Sequence, residues 1–124
     1  ISSGCISGTV LGKSNESKDA LAKCLTEKGA KMYGTYWCPH CQNQKKAFGD
    51  SFQYIDYVEC AADGPNGNPT ACELAGINGY PTWVIKSAQY SGEQNLGALA
   101  KIGGCAYYWV LQKKRLSVLW NLSE

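Results

Sequence analysis

The stretch "YWCPHCQNQKK", Tyr36 to Lys46, sets Cys38 and Cys41 three residues apart, with Pro39 and the chain's only histidine, His40, between them. A metal clip, a structural bridge and a working redox pair all use such spacing, so the flanking residues must separate them. Upstream, "AKMYGTYW" alternates and carries aromatics, which predicts a strand running straight into Cys38. Pro39 suits the first turn of a following helix, because the N–H it lacks would be unpaired there anyway. Strand, Cys38, helix is the resulting order. It sets the first sulfur where unpaired N–H groups and the helix dipole favour a thiolate. Cys41, one turn on, reaches back to close a small ring and reads as the resolving, more buried partner.

Working outward, "SNESKDALAKCLTEKG" offers Ser14 or Asn15 as N-cap, early acidic Glu16 and Asp19, and Ala20, Leu21, Cys24 and Leu25 at helical spacing before Gly29. After the pair, "FQYIDYVEC" (Phe52 to Cys60) reads as a second strand, "AADGPNGNP" as a loop and "TACELAG" as a short helix ended by Gly76. "YPTWVIK" reads as a third strand with "AQYSG" as its hairpin partner. "EQNLGALAKIGG" reads as a closing helix with Leu96, Leu99, Ala100 and Ile102 inward. The pattern α, β, α, β, α, β, β, α implies an α/β fold, a mixed sheet covered by helices on both faces. The expected organisation is a Gly/Ser-rich linker or leader arm at 1–13, one domain at 14–104, and an extension at 105–124. In that extension two aromatic-aliphatic clusters flank Lys113, Lys114 and Arg115, which suits an amphipathic helix, a dimer contact or a stop beside a membrane, though packing on the domain or poor order is the plainer expectation.

At 124 residues the chain has room for one core. A net charge of +2 with 18% charged residues leaves no broad footprint for nucleic acid or an anionic membrane. Seven cysteines favour an oxidising compartment over a reducing cytosol. The start at Ile1, without a basic n-region and apolar run, carries the expectation of a mature or excised fragment. The run from Ala106 to Leu111 is far short of the ~20 residues that span a bilayer, so the chain itself is not expected to be membrane-spanning.

His40 between the cysteines is expected to bring an imidazole N–H near the Cys38 sulfur, which would make the disulfide easier to reduce and hence a stronger oxidant. The plain alternative is a solvated residue at a helix start. Six residues before Cys38, where a thioredoxin carries a buried aspartate that helps deprotonate its second cysteine, stands Met32. A reductase relying on such a base is therefore disfavoured, and the Cys41 proton needs another route. Downstream, "NGYPTW" makes Tyr80-Pro81 a candidate cis bond, with the Tyr80 backbone able to pair with an incoming peptide beside Cys38. Trp37, Pro39, Tyr80 and Pro81 are the candidate substrate-binding residues.

Cys60 and Cys72 flank a polar loop. A bridge between them would contribute about 3 kcal/mol, and a second redox-active relay pair is the alternative. Cys24 reads as a buried core thiol, while Cys5 and Cys105 lie in the two arms, free, paired with each other or bonded to missing parts of the protein. A zinc site made of Cys38, Cys41, Cys60 and Cys72 is the metal alternative, disfavoured because the second pair is too widely spaced for a tight clip. No metal ligand set is assigned, and the sequons at Asn15 and Asn121 carry little weight.

The run "YWCPHCQNQKKAFG", followed by "YVEC", "AC", "AGINGYPTW" and a closing helix, resembles the thioredoxin-fold superfamily. More narrowly, "CPHCQNQK", the "YVEC" strand and the extra cysteine pair resemble the thioredoxin-like domain of the vitamin K epoxide reductase (VKOR) homologues of cyanobacteria and plant chloroplasts. The resemblance spans roughly residues 15–104. It implies a thiol:disulfide oxidoreductase in which Cys38 exchanges with substrate, Cys41 resolves, Cys60 and Cys72 form an additional disulfide, and Tyr80 and Pro81 line the peptide site. It also implies reduced or unfolded protein thiols as substrates, and a VKOR-type membrane domain as electron acceptor. The quinone would belong to that partner, with no cofactor in this chain, and the setting would be a thylakoid lumen or periplasm. A reductase or isomerase, and a non-enzymatic peptide-binding or zinc-stabilised module, are the rival readings. The extension after Gly104 departs from the family pattern.

Overall fold

The structure is a computed structural model that describes residues 17–107. The 1–13 arm with Cys5, the N-cap candidates Ser14 and Asn15, Glu16, the sequon at Asn121 and the extension beyond Tyr107 lie outside the described residues. Helix α1 covers residues 17–27, and Gly29 follows it at φ +83°, the left-handed conformation that ends a helix without Cβ strain. Leu21, Ala22 and Leu25 make its buried stripe. Ala20 faces solvent instead, so the buried face is turned slightly from the one expected.

Strand β1 (Lys31–Gly34) leads into helix α2 (Pro39–Phe48). Strand β2 (Tyr57–Glu59), helix α3 (Pro69–Leu74), the hairpin of β3 (Thr82–Ile85) and β4 (Ala88–Ser91), and helix α4 (Leu96–Gly103) complete the chain order. The sheet runs β2-β1-β3-β4, with β1 and β2 parallel and the other pairs antiparallel. This is the mixed α/β arrangement of a thioredoxin-like fold. The expected second strand is shorter than its sequence suggested: after Gly49 the chain makes a 3₁₀ turn over Gly49–Tyr54, and extended pairing starts only at Tyr57. Phe52 is held there by aromatic contacts, its ring 6.1 Å from Phe48 and 5.7 Å from Tyr57. Packing under α2 thus overrides the β propensity of that run.

Alternation along the strands divides the core in two. Met32 pairs with Trp83 and Tyr57, so these side chains share one face, which α1, α2 and α4 cover with Leu21, Leu25, Cys41, Phe48, Leu99 and Ala100. Tyr33, Val58 and Val84 share the other face, packed by Cys60, Cys72, Ala75 and Ile77 around α3. Complete burial of side chains such as Trp83, Leu21 and Leu99 is worth about 2 kcal/mol each before the entropy of ordering is set against it. In α4, Leu99 and Ala100 are buried, while Leu96 and Ile102 pack half-buried at the core edge.

Two disulfides fasten this frame. Cys60 at the end of β2 is bonded to Cys72 in α3, with Cα atoms 5.8 Å apart. Cys24 of α1 is bonded to Cys105 just after α4, with Cα atoms 6.0 Å apart. The expectations of Cys24 as a core thiol, and of Cys105 as free, paired with Cys5 or bonded to missing parts of the protein, are therefore corrected. Helical spacing gives its face but not the neighbour, which arrives 81 residues later, when α4 closes against α1. The same closure brings Lys28 Nζ within 3.0 Å of the Gly104 carbonyl, to which it donates.

Candidate active site

Cys38 occupies the N-cap of α2 in extended conformation (φ −77°, ψ 123°), with Pro39 at the start of the helix. The Cys38 and Cys41 thiols are free, so this is the dithiol form. Cys38 keeps 7% exposure and Cys41 none. That difference follows from the fold: the helix start lies at the end of the sheet, and one turn later the chain faces the core. An incoming sulfur can reach the first cysteine and not the second.

The Cys38 thiol points to the Tyr80 carbonyl, with Sγ 3.7 Å from the oxygen. Tyr80-Pro81 is cis. Trp37 and Tyr80 meet edge to face, with ring centroids 6.2 Å apart, and both rings are exposed, as is Tyr36. Cys38 is therefore flanked by the exposed Trp37, Pro39 and Tyr80, with the Tyr80 carbonyl beside its sulfur, whereas the Pro81 side chain, expected to line the peptide site, is fully buried. Such a surface suits an extended, partly apolar peptide.

Burial pushes the Cys41 thiol up to about 12, and the neighbouring Cys38 adds to the rise, whereas the Thr35 backbone N–H and the Lys45 ammonium oppose it. Gly34 makes the close packing feasible: a Cβ there would stand 2.6 Å from Cys41 Sγ and 3.4 Å from a Tyr57 ring carbon. Met32, where an acid would sit in a thioredoxin, is fully buried among apolar groups.

His40 differs from its expected placement. Its Nδ1 meets Glu93 Oε2 at 2.5 Å, and no hydrogen bond between its ring and Cys38 occurs among the described residues. The Glu93 carboxylate also accepts from Asn43 Nδ2 at 3.2 Å, and these bonds, that of His40 first, hold its carboxyl below the usual carboxylate range. A carboxylate is a stronger acceptor than a neutral thiol, so the imidazole goes to it. His40 lies in α2 and Glu93 just before α4, a meeting that no local spacing reveals.

Gln44, on the same helix, was also not singled out by the sequence. It is 1% exposed; its Oε1 accepts from the Trp83 indole at 3.1 Å and from the Gln94 backbone N–H at 2.7 Å, while its Nε2 donates to the Gln94 carbonyl at 2.9 Å. One amide thus joins α2 to β3 and to the segment bearing Glu93. Glu59 is the other missed residue, buried at 4% exposure. The alternation of "DYVEC" carried a signal, since a strand that turns Val58 to one face must turn Tyr57 and Glu59 together to the other.

Cys60 and Cys72 lie on the opposite face of the sheet from Cys41, bonded to each other. A four-cysteine zinc cluster with Cys38 and Cys41 would need both of those sulfurs, and in this form they are committed to one another.

No family model matches the chain. Over 89 residues it is 46% identical to the thiol-disulfide oxidoreductase LTO1 of Arabidopsis thaliana, an overlap covering 68% of this chain and 24% of that relative. The chain thus spans about a quarter of the relative's length. The likeness supports a redox enzyme.

Proposed function

We propose that Cys38 and Cys41 form the exchanging pair of a thiol:disulfide oxidoreductase that oxidises protein thiols. The observation that carries this reading is the asymmetry of the pair: Cys38 reaches the surface beside the Tyr80 carbonyl, and Cys41 is sealed one turn behind it. A substrate thiolate attacks Cys38 Sγ of the oxidised pair, the Cys38–Cys41 bond breaks, and Cys41 leaves with the electron pair and takes a proton. A second substrate thiolate then attacks the substrate sulfur of the mixed disulfide. The substrate disulfide forms, Cys38 departs as thiolate, and the dithiol retains two electrons. Trp37, Pro39 and Tyr80 would hold the peptide through these steps.

The dithiol must pass its electrons to an acceptor disulfide. The CPHCQNQK run and the extra cysteine pair favour a VKOR-type membrane domain as that acceptor, with the quinone belonging to the partner, and a thylakoid lumen or periplasm as the setting. The LTO1 name extends to thiol-disulfide exchange and no further. No helix among the described residues is long and apolar enough to cross a membrane. Oxidation of a reduced two-cysteine peptide by the oxidised protein tests the reading. Cys38→Ser is expected to abolish it and Cys41→Ser to accumulate the mixed disulfide; turnover surviving Cys38→Ser would remove the enzymatic role.

A further inference from the structure

Cys41 must gain a proton when the pair is reduced and lose it when the pair is reoxidised, yet it is sealed from solvent and Met32 offers no base. The register of β1 and β2 shows what stands there instead. Gly34 pairs with Glu59 and Met32 with Tyr57, so Tyr57 and Glu59 lie side by side with them, on the face against which Cys41 packs. A Cβ on Gly34 would touch both Cys41 Sγ and the Tyr57 ring, so the missing side chain lets the thiol approach that ring, whose hydroxyl is bonded to Glu59.

Glu59 is unusual for a buried acid. Its Oε2 accepts from the backbone N–H groups of Tyr36 and Ala61, both at 3.1 Å, and its Oε1 accepts from the Tyr57 hydroxyl at 3.0 Å. No cation pairs with it among the described residues. Gly64 closes over it, since a Cβ there would come within 2.8 Å of its carboxyl carbon. A buried carboxylate held by donors and left without a counter-ion is costly, and beside a reacting group it marks function more often than stability. On its outer side Glu59 lines a cavity of about 210 Å³, shared with Tyr57, Pro65, Asn66 and Asn68 at the free edge of the sheet.

We propose that Glu59 accepts and returns the Cys41 proton across Gly34, with Tyr57 holding its carboxylate and the β2 cavity relaying the proton to solvent. The proposal rests on the exchange chemistry given above. In reoxidation Cys38 is bonded to the sulfur of the acceptor disulfide. The Cys41 S–H proton passes to the Glu59 carboxylate, and the Cys41 thiolate attacks Cys38 Sγ. The Cys38–Cys41 bond forms as the bond from Cys38 to the acceptor breaks, and the acceptor leaves as a thiolate carrying the electron pair. The pair is oxidised by two electrons and the acceptor reduced by two. When a substrate thiolate opens the pair, the proton returns. Glu59 acts through the thiol it serves and is a positioning residue in that sense.

The other titratable groups around this path are few. Lys45 of α2 lies over the Tyr57 ring, with Nζ 4.2 Å from the centroid, and Tyr36 turns its hydroxyl away to donate to Asp63 Oδ2 at 2.9 Å. Cys38 is the remaining one, while β3 contributes the apolar Trp83 and Ile85 to this face. Burial first, and then the bond to Glu59, push the Tyr57 phenol well up, so it stays a donor to the carboxylate.

The aryl disulfide DTNB separates the two cysteines kinetically. Reacted with the chain in its Cys38/Cys41 dithiol form, in a Cys5→Ser background, it releases one thionitrobenzoate when Cys38 attacks and a second when Cys41 resolves the adduct. Glu59→Gln keeps the shape and most of the hydrogen bonds. It is expected to leave the first phase within about 2-fold and to slow the second about 100-fold at pH 7, with the gap closing as pH rises. Glu59→Asp is expected to restore the neutral-pH second phase in part, and Tyr57→Phe to move its inflection to higher pH by removing a donor to the carboxylate. Second-phase pH profiles of Glu59→Gln and the unsubstituted chain that superimpose, or that differ by one factor at every pH, overturn the relay. Absence of the first phase in the unsubstituted chain overturns the exchange reading itself, and the relay with it.

Discussion

At Cys41 the surroundings decide the protonation state. The thiol is pushed from an ordinary 9.0 to about 12, chiefly by burial, so between pH 7 and 9 it stays protonated at rest and closed to an external reagent. Iodoacetamide is therefore expected to label Cys38 at pH 8 while sparing Cys41, read by mass of the modified peptide; equal labelling would contradict the burial. The sign of the linkage gives a second readout. A thiol raised on folding leaves stability intact below pH 9 and removes it as pH climbs toward 12, because the unfolded chain ionises first. The dithiol form should lose more stability across that window than the oxidised form, whose Cys41 has no proton to lose; the raised Tyr57 phenol costs both forms alike. The sequence singled out Cys38 and Cys41 through proline, spacing and the preceding strand. It misplaced His40 because Glu93, its partner, lies 53 residues away.

At the scale of elements, one buried amide does work that hydrophobic patterning cannot reveal. Gln44 stands in α2 amid polar residues, and its burial appears only when β3 brings Trp83 and the turn brings Gln94 against it. Gln44→Ala strands an indole N–H, a backbone N–H and a carbonyl. It is expected to cost about 3 kcal/mol, read as a lower denaturant midpoint with unchanged slope; a loss under about 1 kcal/mol would mean the three groups find water instead. The strands were legible where residues alternate, as in "YPTWVIK". The Phe52 to Tyr54 run was not, because its aromatics serve the packing of α2 rather than a ladder. Glu59 was masked for a related reason: alternation gives its face, and only the β1–β2 register shows that Cys41 is on it.

For the whole molecule, the order α, β, α, β, α, β, β, α was readable from the chain, while the fastening of its ends was not. The Cys24–Cys105 bond spans 81 residues and the Cys60–Cys72 bond 12. Loop-closure entropy makes the first worth about 4 kcal/mol and the second about 3 kcal/mol. Replacing Cys24 and Cys105 together by alanine should therefore lower unfolding stability more than replacing Cys60 and Cys72, and the reverse order would show that α1 and α4 hold together without the bond. The exchange proposed above uses neither pair, so both double variants are expected to retain a reactive Cys38. The direction of electron flow is a property of the assembled site, of the helix start and the sealed Cys41 together. Equilibration of the Cys38/Cys41 pair with glutathione measures it. A protein-thiol oxidant is expected to have a potential nearer the roughly −120 mV of DsbA than the roughly −270 mV of thioredoxin; a value at or below the latter would contradict the oxidant and make the pair a reductant.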